Sequence, residues 1–212
     1  MSRKLESNPS LVIVFDVETT GLIPRELKPG NIPYIIQLSY VLYDISENVI
    51  KEQYNNYILL PESIPISPVI SELTGITRPL LEEKGIDIKD ALESFYDAWQ
   101  KAGIAVAHNM EFDITMLLIE SSVHCEPLHK TLSETDENKT YYCTMEKGTD
   151  MCQIKRANSR GVYFKQPKLS ELHNFFFGTV PEGLHNSMVD VLTTLRCYML
   201  MRWGKQIDIA SV

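Results

Sequence analysis

Three short segments carry side chains whose types and spacing could do chemistry. Asp16 and Glu18 stand two residues apart at the end of the apolar run Leu11–Val17. In an extended strand, residues two apart share a face. Two carboxylates would then lie side by side near a low-dielectric interior, where like charges repel and neither is easily solvated. A divalent cation removes that penalty; the alternative is a strand that ends at Asp16 with both acids in water. Asn109 and Asp113 follow the apolar run Ile104–Ala107 at i, i+4, one helical turn apart on one face. An ordinary N-cap by Asn109, with Asp113 as a solvated first-turn acid, gives the same spacing. His185 and Asp190 are five residues apart, about 140° around a helix of 3.6 residues per turn. His185 therefore belongs to the loop before the helix that holds Asp190. A capping box, with Ser187 as cap and Asp190 at the third position, is the competing reading.

The elements around these residues are legible from pattern. Leu11–Val17 reads as a buried strand, Tyr34–Tyr43 as a second and Val49–Leu59 as a third, an antiparallel meander. Residues 22–34, with Pro24, Pro29, Gly30 and Pro33, read as a loop. Ser67-Pro68 starts a helix that Gly75 stops. Asp87 caps a longer helix with Ile88, Leu92, Phe95 and Trp99 on one face, predicted to end at Gly103. Ile104–Ala107 is a short buried strand, Glu111–Ser121 a helix, Tyr141–Thr144 a strand, and Leu169–Phe177 and Ser187–Trp203 the last two helices. Strands first, then alternating helix and strand, specify an α/β domain with a mixed sheet.

Composition limits the alternatives. The chain has 212 residues, 44% apolar and 23% charged, as in an ordinary globular protein of one domain. No apolar run approaches the roughly 18 residues of a membrane span, and the first nine residues lack an apolar signal region. Cys125, Cys143, Cys152 and Cys197 match no common zinc spacing, with His124 and His129 included, and read as reduced thiols of a cytoplasmic or nuclear, not secreted, protein. A net charge of −8 argues against coating nucleic acid by bulk charge.

Together, FDVETTGL (15–22), HNMEFD (108–113) and HNSMVD (185–190) resemble, in order and spacing, the three motifs of DEDDh-type, DnaQ-like 3′–5′ exonucleases. IIQLSYVLYD (35–44), ELTGIT (72–77), IAVAHN (104–109) and PKLSELHNFFFG (167–178) extend the likeness over residues 10–203, within one exonuclease domain spanning 1–212. The resemblance implies a ribonuclease-H-like α/β fold with a five-stranded mixed sheet, its first three strands antiparallel, flanked by helices. It implies two divalent ions, Mg²⁺ with Mn²⁺ as substitute, held by Asp16, Glu18, Asp113 and Asp190, with Asp16 bridging and Asp113 near the leaving 3′ oxygen. His185 resembles the general base, a task suited to an imidazole titrating near neutrality; His108 is a competing base at a position the family uses for structure or substrate. Thr19, Thr20, Gly21 and Leu22 resemble the turn that holds the 3′-terminal nucleotide, Leu22 packing on a base; an ordinary strand-ending turn is the alternative. Asn109 and Phe112 join that set, Phe112 by stacking or simply as core.

The expected partner is nucleic acid with a free 3′ end, with single-stranded or frayed DNA ahead of RNA. Thr19-Thr20-Gly21, in place of the Met-Thr-Gly of oligoribonucleases, leans that way. A DNA polymerase is a candidate associate, although the nine residues after the last helix leave no room for a long tether. The rival activities are an exoribonuclease and, in another class, a catalytically inactive nucleic-acid-binding module. Residues 155–168 (KRANSRGVYFKQPK) hold five basic and no acidic residues, so the remainder carries −13. Lys155, Arg156 and Arg160, interleaved with Tyr163 and Phe164, are candidate phosphate contacts, against the alternative of a solvated loop. The loop Pro24–Pro33, longer than the family's tight turn, is expected to reshape the pocket rim.

Overall fold

The computed structural model describes residues 8–28, 30–134, 137 and 139–208; Pro29 of the long loop lies outside them. Its centre is a five-stranded sheet of order β3-β2-β1-β4-β5. Strands β1 (Asn8–Thr19), β2 (Ile35–Asp44) and β3 (Val49–Tyr57) form the antiparallel meander, while β4 (Ala102–Ala107) and β5 (Thr140–Cys143) run parallel to β1. The mixed sheet and its helical flanks agree with the sequence reading.

The two faces of β1 bury two separate cores. Ile13, Phe15 and Val17 point to one side, against Leu92, Phe95 and Trp99 of α3 (Ile88–Lys101) and Met116 and Leu117 of α4 (Met110–His124). Val12 and Val14 point to the other, against Met188, Val191 and Leu195 of α8 (Ser187–Trp203). Each fully buried large apolar side chain contributes about 1.5–3 kcal/mol, so the period of two along β1 locks its register. That register fixes the acids: Asp16 and Glu18 continue the Val12/Val14 series and face α8.

Between the meander and α3 lie α1 (Pro68–Thr74) and α2 (Arg78–Lys84). Ser67 caps α1 by accepting the Ile70 N–H, and Gly75 ends it at φ 74°. Asp87 caps α3 as expected. Gly103 does not terminate α3; the helix ends at Lys101 and Gly103 already belongs to β4. A Cβ there would meet Pro9 Cα at 2.8 Å, so the absent side chain permits β1 and β4 to approach. The pattern missed α2, α5 (Glu126–Ser133) and α6 (Thr144–Cys152). It also missed a hairpin of β6 (Lys155–Asn158) and β7 (Gly161–Phe164), which precedes α7 (Leu169–Phe177). The described cysteines are all free. Among the described residues, no helix is long and apolar enough to cross a membrane.

Candidate active site

The site forms where β4 stops short of β1. Pairing between them ends at Val14↔Val106, so β1 continues without a partner on that side. The carboxylate of Asp113, on α4, takes the vacant place: its Oδ1 accepts the Val17 N–H at 3.1 Å. A buried backbone donor is thereby satisfied, and Asp113 is carried to the strand segment that holds Asp16 and Glu18. Asp113 is only 2% exposed, so it is not the solvated first-turn acid of the capping alternative. Asn109 does stand at the N-cap of α4, yet its side chain makes no capping bond and its φ is 75°.

Asp190 arrives from the other face. Asn186, not Ser187, caps α8, accepting the Met188 N–H at 3.2 Å. Ser187 is buried inside the first turn, its Oγ 2.5 Å from Ser39 Oγ, and its N–H donates to Gln37 Oε1. Ser39 in turn donates to Asn55 Oδ1 at 2.9 Å. This network, buried at Gln37, Ser39 and Ser187 and reaching the exposed Asn55, anchors the start of α8 on β2 and β3. Asp190 sits in the first turn of α8, and Asp113 holds the same place in α4; the positive end of a helix dipole favours a carboxylate there. Asp190 Oδ2 accepts the His185 N–H at 3.3 Å. His185 lies in the turn before the helix, as its spacing required, exposed and at φ 69°.

The electrostatics are those of too many carboxylates in too little water. Burial, then repulsion from Asp113, Asp190 and Glu18, pushes the Asp16 carboxyl well above the usual range. Burial, then Asp190, raises Glu18 to about 8. Burial raises Asp190 to about 7 and holds Asp113 well above its ordinary value, although the Val17 N–H opposes the latter. Asp16 Oδ2 and Asp190 Oδ1 are buried with no hydrogen-bond partner. Unpartnered buried carboxylate oxygens are costly; hard, oxygen-rich donors of this kind suit a divalent cation. Among the described residues, Glu18, His185 and Asp190 each offer a ligand atom, all within 4.8 Å of one another. The sequence placed four acids in this role and His185 outside it; the geometry also puts an imidazole nitrogen within reach.

These groups line a cleft of about 670 Å³. Leu22, His108, Asn109 and Phe112 line it too, as expected. Leu22 is 85% exposed, while Phe112 both lines the cleft and packs on the core, so its two readings coexist. Thr19, Thr20 and Gly21 do not line this cleft. The Thr19 hydroxyl donates to Gly21 O at 2.7 Å, and Thr20 pairs with Tyr34 through both its N–H and its hydroxyl. Thr20 and Gly21 instead border an adjoining groove of about 750 Å³, which shares Leu22 with the cleft and is lined by Gly30–Pro33 of the long loop.

His108 has both ring nitrogens engaged. Nε2 lies 3.2 Å from the Pro167 carbonyl and must donate to it, leaving Nδ1 to accept from Thr144 Oγ1 at 2.9 Å. Burial lowers its pKa to about 4. It is a neutral strut that pins residues 166–170 as the far wall of the cleft. The sequence set these residues in the basic segment 155–168 and the family-like stretch 167–178 but did not place them in the cleft, where Lys168 is the one basic residue of the wall. Lys155, Arg156 and Arg160 lie outside the cleft lining, on the exposed hairpin whose second strand runs into this wall.

Comparison with known proteins gives the family and the fold. The RNase_T exonuclease model matches residues 13–198. This chain belongs to that exonuclease family. It is 36% identical over 105 residues to the PolC-type DNA polymerase III of Thermotoga petrophila, a match covering 50% of this chain and 7% of the polymerase. The fold resembles E. coli exonuclease I in complex with a dT13 oligonucleotide: TM-score 0.67, 17% identity, 92% of this chain and 42% of that one. A zinc-bound form of the E. coli exonuclease I complex with single-stranded DNA gives TM-score 0.68 at 17% identity, over 92% and 41%. The chain thus spans under half the length of these exonucleases and a small part of the polymerase.

Proposed function

We propose that this exonuclease works from the 3′ end of single-stranded or frayed DNA, requires divalent metal, and releases nucleoside 5′-monophosphates. The observation that carries the reading is the convergence of Asp16, Glu18, Asp113 and Asp190 from both faces of β1, with two carboxylate oxygens buried and unpartnered. Asp16, Glu18, Asp113 and Asp190 would hold two Mg²⁺ ions, Mn²⁺ substituting. When bound, the ions supply Lewis-acid stabilisation of the phosphoryl group under attack.

The protein's own groups do the rest. His185 sits on an exposed turn beside Glu18 and Asp190, where its imidazole accepts the proton of the attacking water. Leu22 and Phe112 present apolar surface to the terminal base, and Asn109 borders the same space. His108 keeps the opposite wall in place. The Thr19–Gly21 turn holds Leu22 at the rim between cleft and groove. DNA is favoured over RNA because the structural neighbour was captured with dT13 and the sequence relative is a DNA polymerase III. A polymerase is therefore the partner to test first.

Digestion of matched 5′-labelled DNA and RNA oligonucleotides, single-stranded and 3′-mismatched, in Mg²⁺ or Mn²⁺ tests the reading. The expected result is a ladder of 3′-shortened products, strongest for single-stranded and mismatched DNA. Preferential shortening of RNA would replace DNA by RNA as substrate, and binding without shortening would leave a non-catalytic module.

A further inference from the structure

The hairpin β6–β7 has no counterpart in the chemistry of the cleft, yet it stands at its edge. All eight of its strand residues are exposed, and its two-residue turn is set by the Asn158 side chain, which accepts the Arg160 N–H at 2.8 Å, and by Gly161 at φ 123°. Its register pairs Arg156 with Tyr163 and Lys155 with Phe164. Residues directly opposed across an antiparallel ladder share a face. One face therefore presents a guanidinium beside a phenol ring, and neither group is buried. Lys155, Arg156 and Arg160 make no ion pair among the described residues. Lys165 does pair with Glu171 of α7 and so clamps the hairpin's root. From that root the chain passes through Gln166 and Pro167 to Lys168, which form the cleft wall held by His108.

We propose that this hairpin is an arm for single-stranded DNA leaving the cleft, with Arg156 and Tyr163 as a stacking platform for a base upstream of the 3′ end, Arg160 of the turn on its phosphates, and Lys155, on the opposite face with Phe164, adding to the arm's positive charge. Charge complementarity selects this occupant: a segment of five basic and no acidic residues on a remainder at −13 attracts a polyanion. Paired planar groups accept any base, because every base has a π-face. Four residues per strand at about 3.3 Å each give an arm of about 13 Å. Its strand residues do not line the cleft, so the nucleotides it would meet are those upstream of the ones the cleft holds. The proposal rests on the 3′–5′ reading for the polarity of the strand.

The test is fluorescence anisotropy with the full chain in Mg²⁺, using 5′-labelled dT4 and dT16 whose 3′-terminal linkages are phosphorothioates. Parent protein binds dT16 more tightly than dT4. Combining Arg156→Ala with Tyr163→Ala lowers that ratio by about 5- to 150-fold, the range expected for losing one base stack. Tyr163→Phe retains it, while Arg156→Lys loses part of it because the plane is gone but the charge remains. Adding Lys155→Ala and Arg160→Ala flattens the salt dependence of dT16 binding, its log–log slope falling by roughly 0.7 for each phosphate no longer neutralised. An unchanged dT16/dT4 ratio in the Ala variant overturns the arm. A 3′-labelled dT16 binding identically when its 5′ half is replaced by an abasic backbone removes the stacking platform. Failure of the 3′–5′ reading shows separately, as absent or 5′-first shortening of an unmodified oligonucleotide by the parent chain.

Discussion

Asp113 Oδ1 accepts the Val17 backbone N–H at 3.1 Å, and through that bond a helix on one face of the sheet delivers its carboxylate to acids facing the other. The bond exists because β4 ends at Ala107 and leaves the β4 side of β1 unpaired beyond Val14, while the other side stays paired with β2. Asp113 thus has a structural role beside the metal-binding one proposed for it, and the two separate by substitution. Asp113→Asn keeps an acceptor for Val17 while removing charge, so it should fold at least as stably as the parent without metal and lose turnover. Asp113→Ala leaves a buried N–H unsatisfied and should be about 1–3 kcal/mol less stable than Asp113→Asn. Urea unfolding of both variants in EDTA checks the order.

Stability without metal should fall as pH rises. Glu18 moves to about 8 and Asp190 to about 7 in the folded chain, against 4.5 and 3.8 for the free groups. Between those values the folded state binds more protons than the unfolded, so unfolding free energy decreases with pH from about 4 to about 8. Protonated carboxyls no longer repel, and the benefit is complete only in acid. His108, held neutral with a pKa lowered to about 4, opposes this trend below about pH 6.5, where the unfolded chain gains a proton it cannot. Thermal melts in EDTA from pH 5 to pH 9 should show Tm highest at the acidic end of that range and falling towards pH 8.

Divalent metal should reverse that trend. A hundredfold excess over Kd adds about 2.7 kcal/mol, or about 5–10 °C in Tm for a chain of this size. The shift should be larger at pH 8 than at pH 5.5, since only ionised carboxylates are good ligands. A Mg²⁺ shift that does not grow with pH would disconnect the acids from metal.

His185→Ala should lower kcat by about 10²–10⁴ while keeping the Mg²⁺ shift in Tm, because the carboxylates remain. Loss of the shift together with activity would instead make His185 a ligand, which its place within 4.8 Å of Glu18 and Asp190 also permits. The backbone N–H that holds Asp190 survives either way.

His108→Ala should act through position. Removing it frees the Pro167 carbonyl and Thr144 hydroxyl, so the wall at 166–170 loosens and KM for a long oligonucleotide rises more than kcat falls. A kcat loss matching that of His185→Ala, with KM unchanged, would return His108 to the role of base.

What is legible in the sequence follows from burial. The alternation Val12–Glu18 and the α3 stripe are visible because each buries a face, and a face imposes a period. So are the ends of α1, where Ser67, Pro68 and Gly75 each have a local physical role. Helices α2, α5 and α6 are two turns or little more and bury few side chains, so no stripe can accumulate. The β6–β7 hairpin buries none and therefore has no alternation to detect. Ser187 reads as a cap since Asn186 and Ser187 are both good caps; Ser39, 148 residues away in sequence, decides between them. The acids themselves are legible as a set. That the Thr20 hydroxyl accepts the Tyr34 N–H is not, because Tyr34 stands at the end of a long loop.

The most direct measurement is the time course of a 5′-labelled single-stranded DNA with parent protein and Asp16→Asn, each in Mg²⁺ and in EDTA, alongside Tm. Asp16 Oδ2 is buried without a partner, so the neutral amide should raise Tm in EDTA, abolish the Mg²⁺ shift, and cut 3′ shortening by about a thousandfold or more, several kcal/mol of lost metal assistance. Parent protein should shorten the strand only in Mg²⁺, one nucleotide at a time from the 3′ end. Shortening that persists in Asp16→Asn, or in EDTA, would contradict metal-dependent cleavage at these four acids.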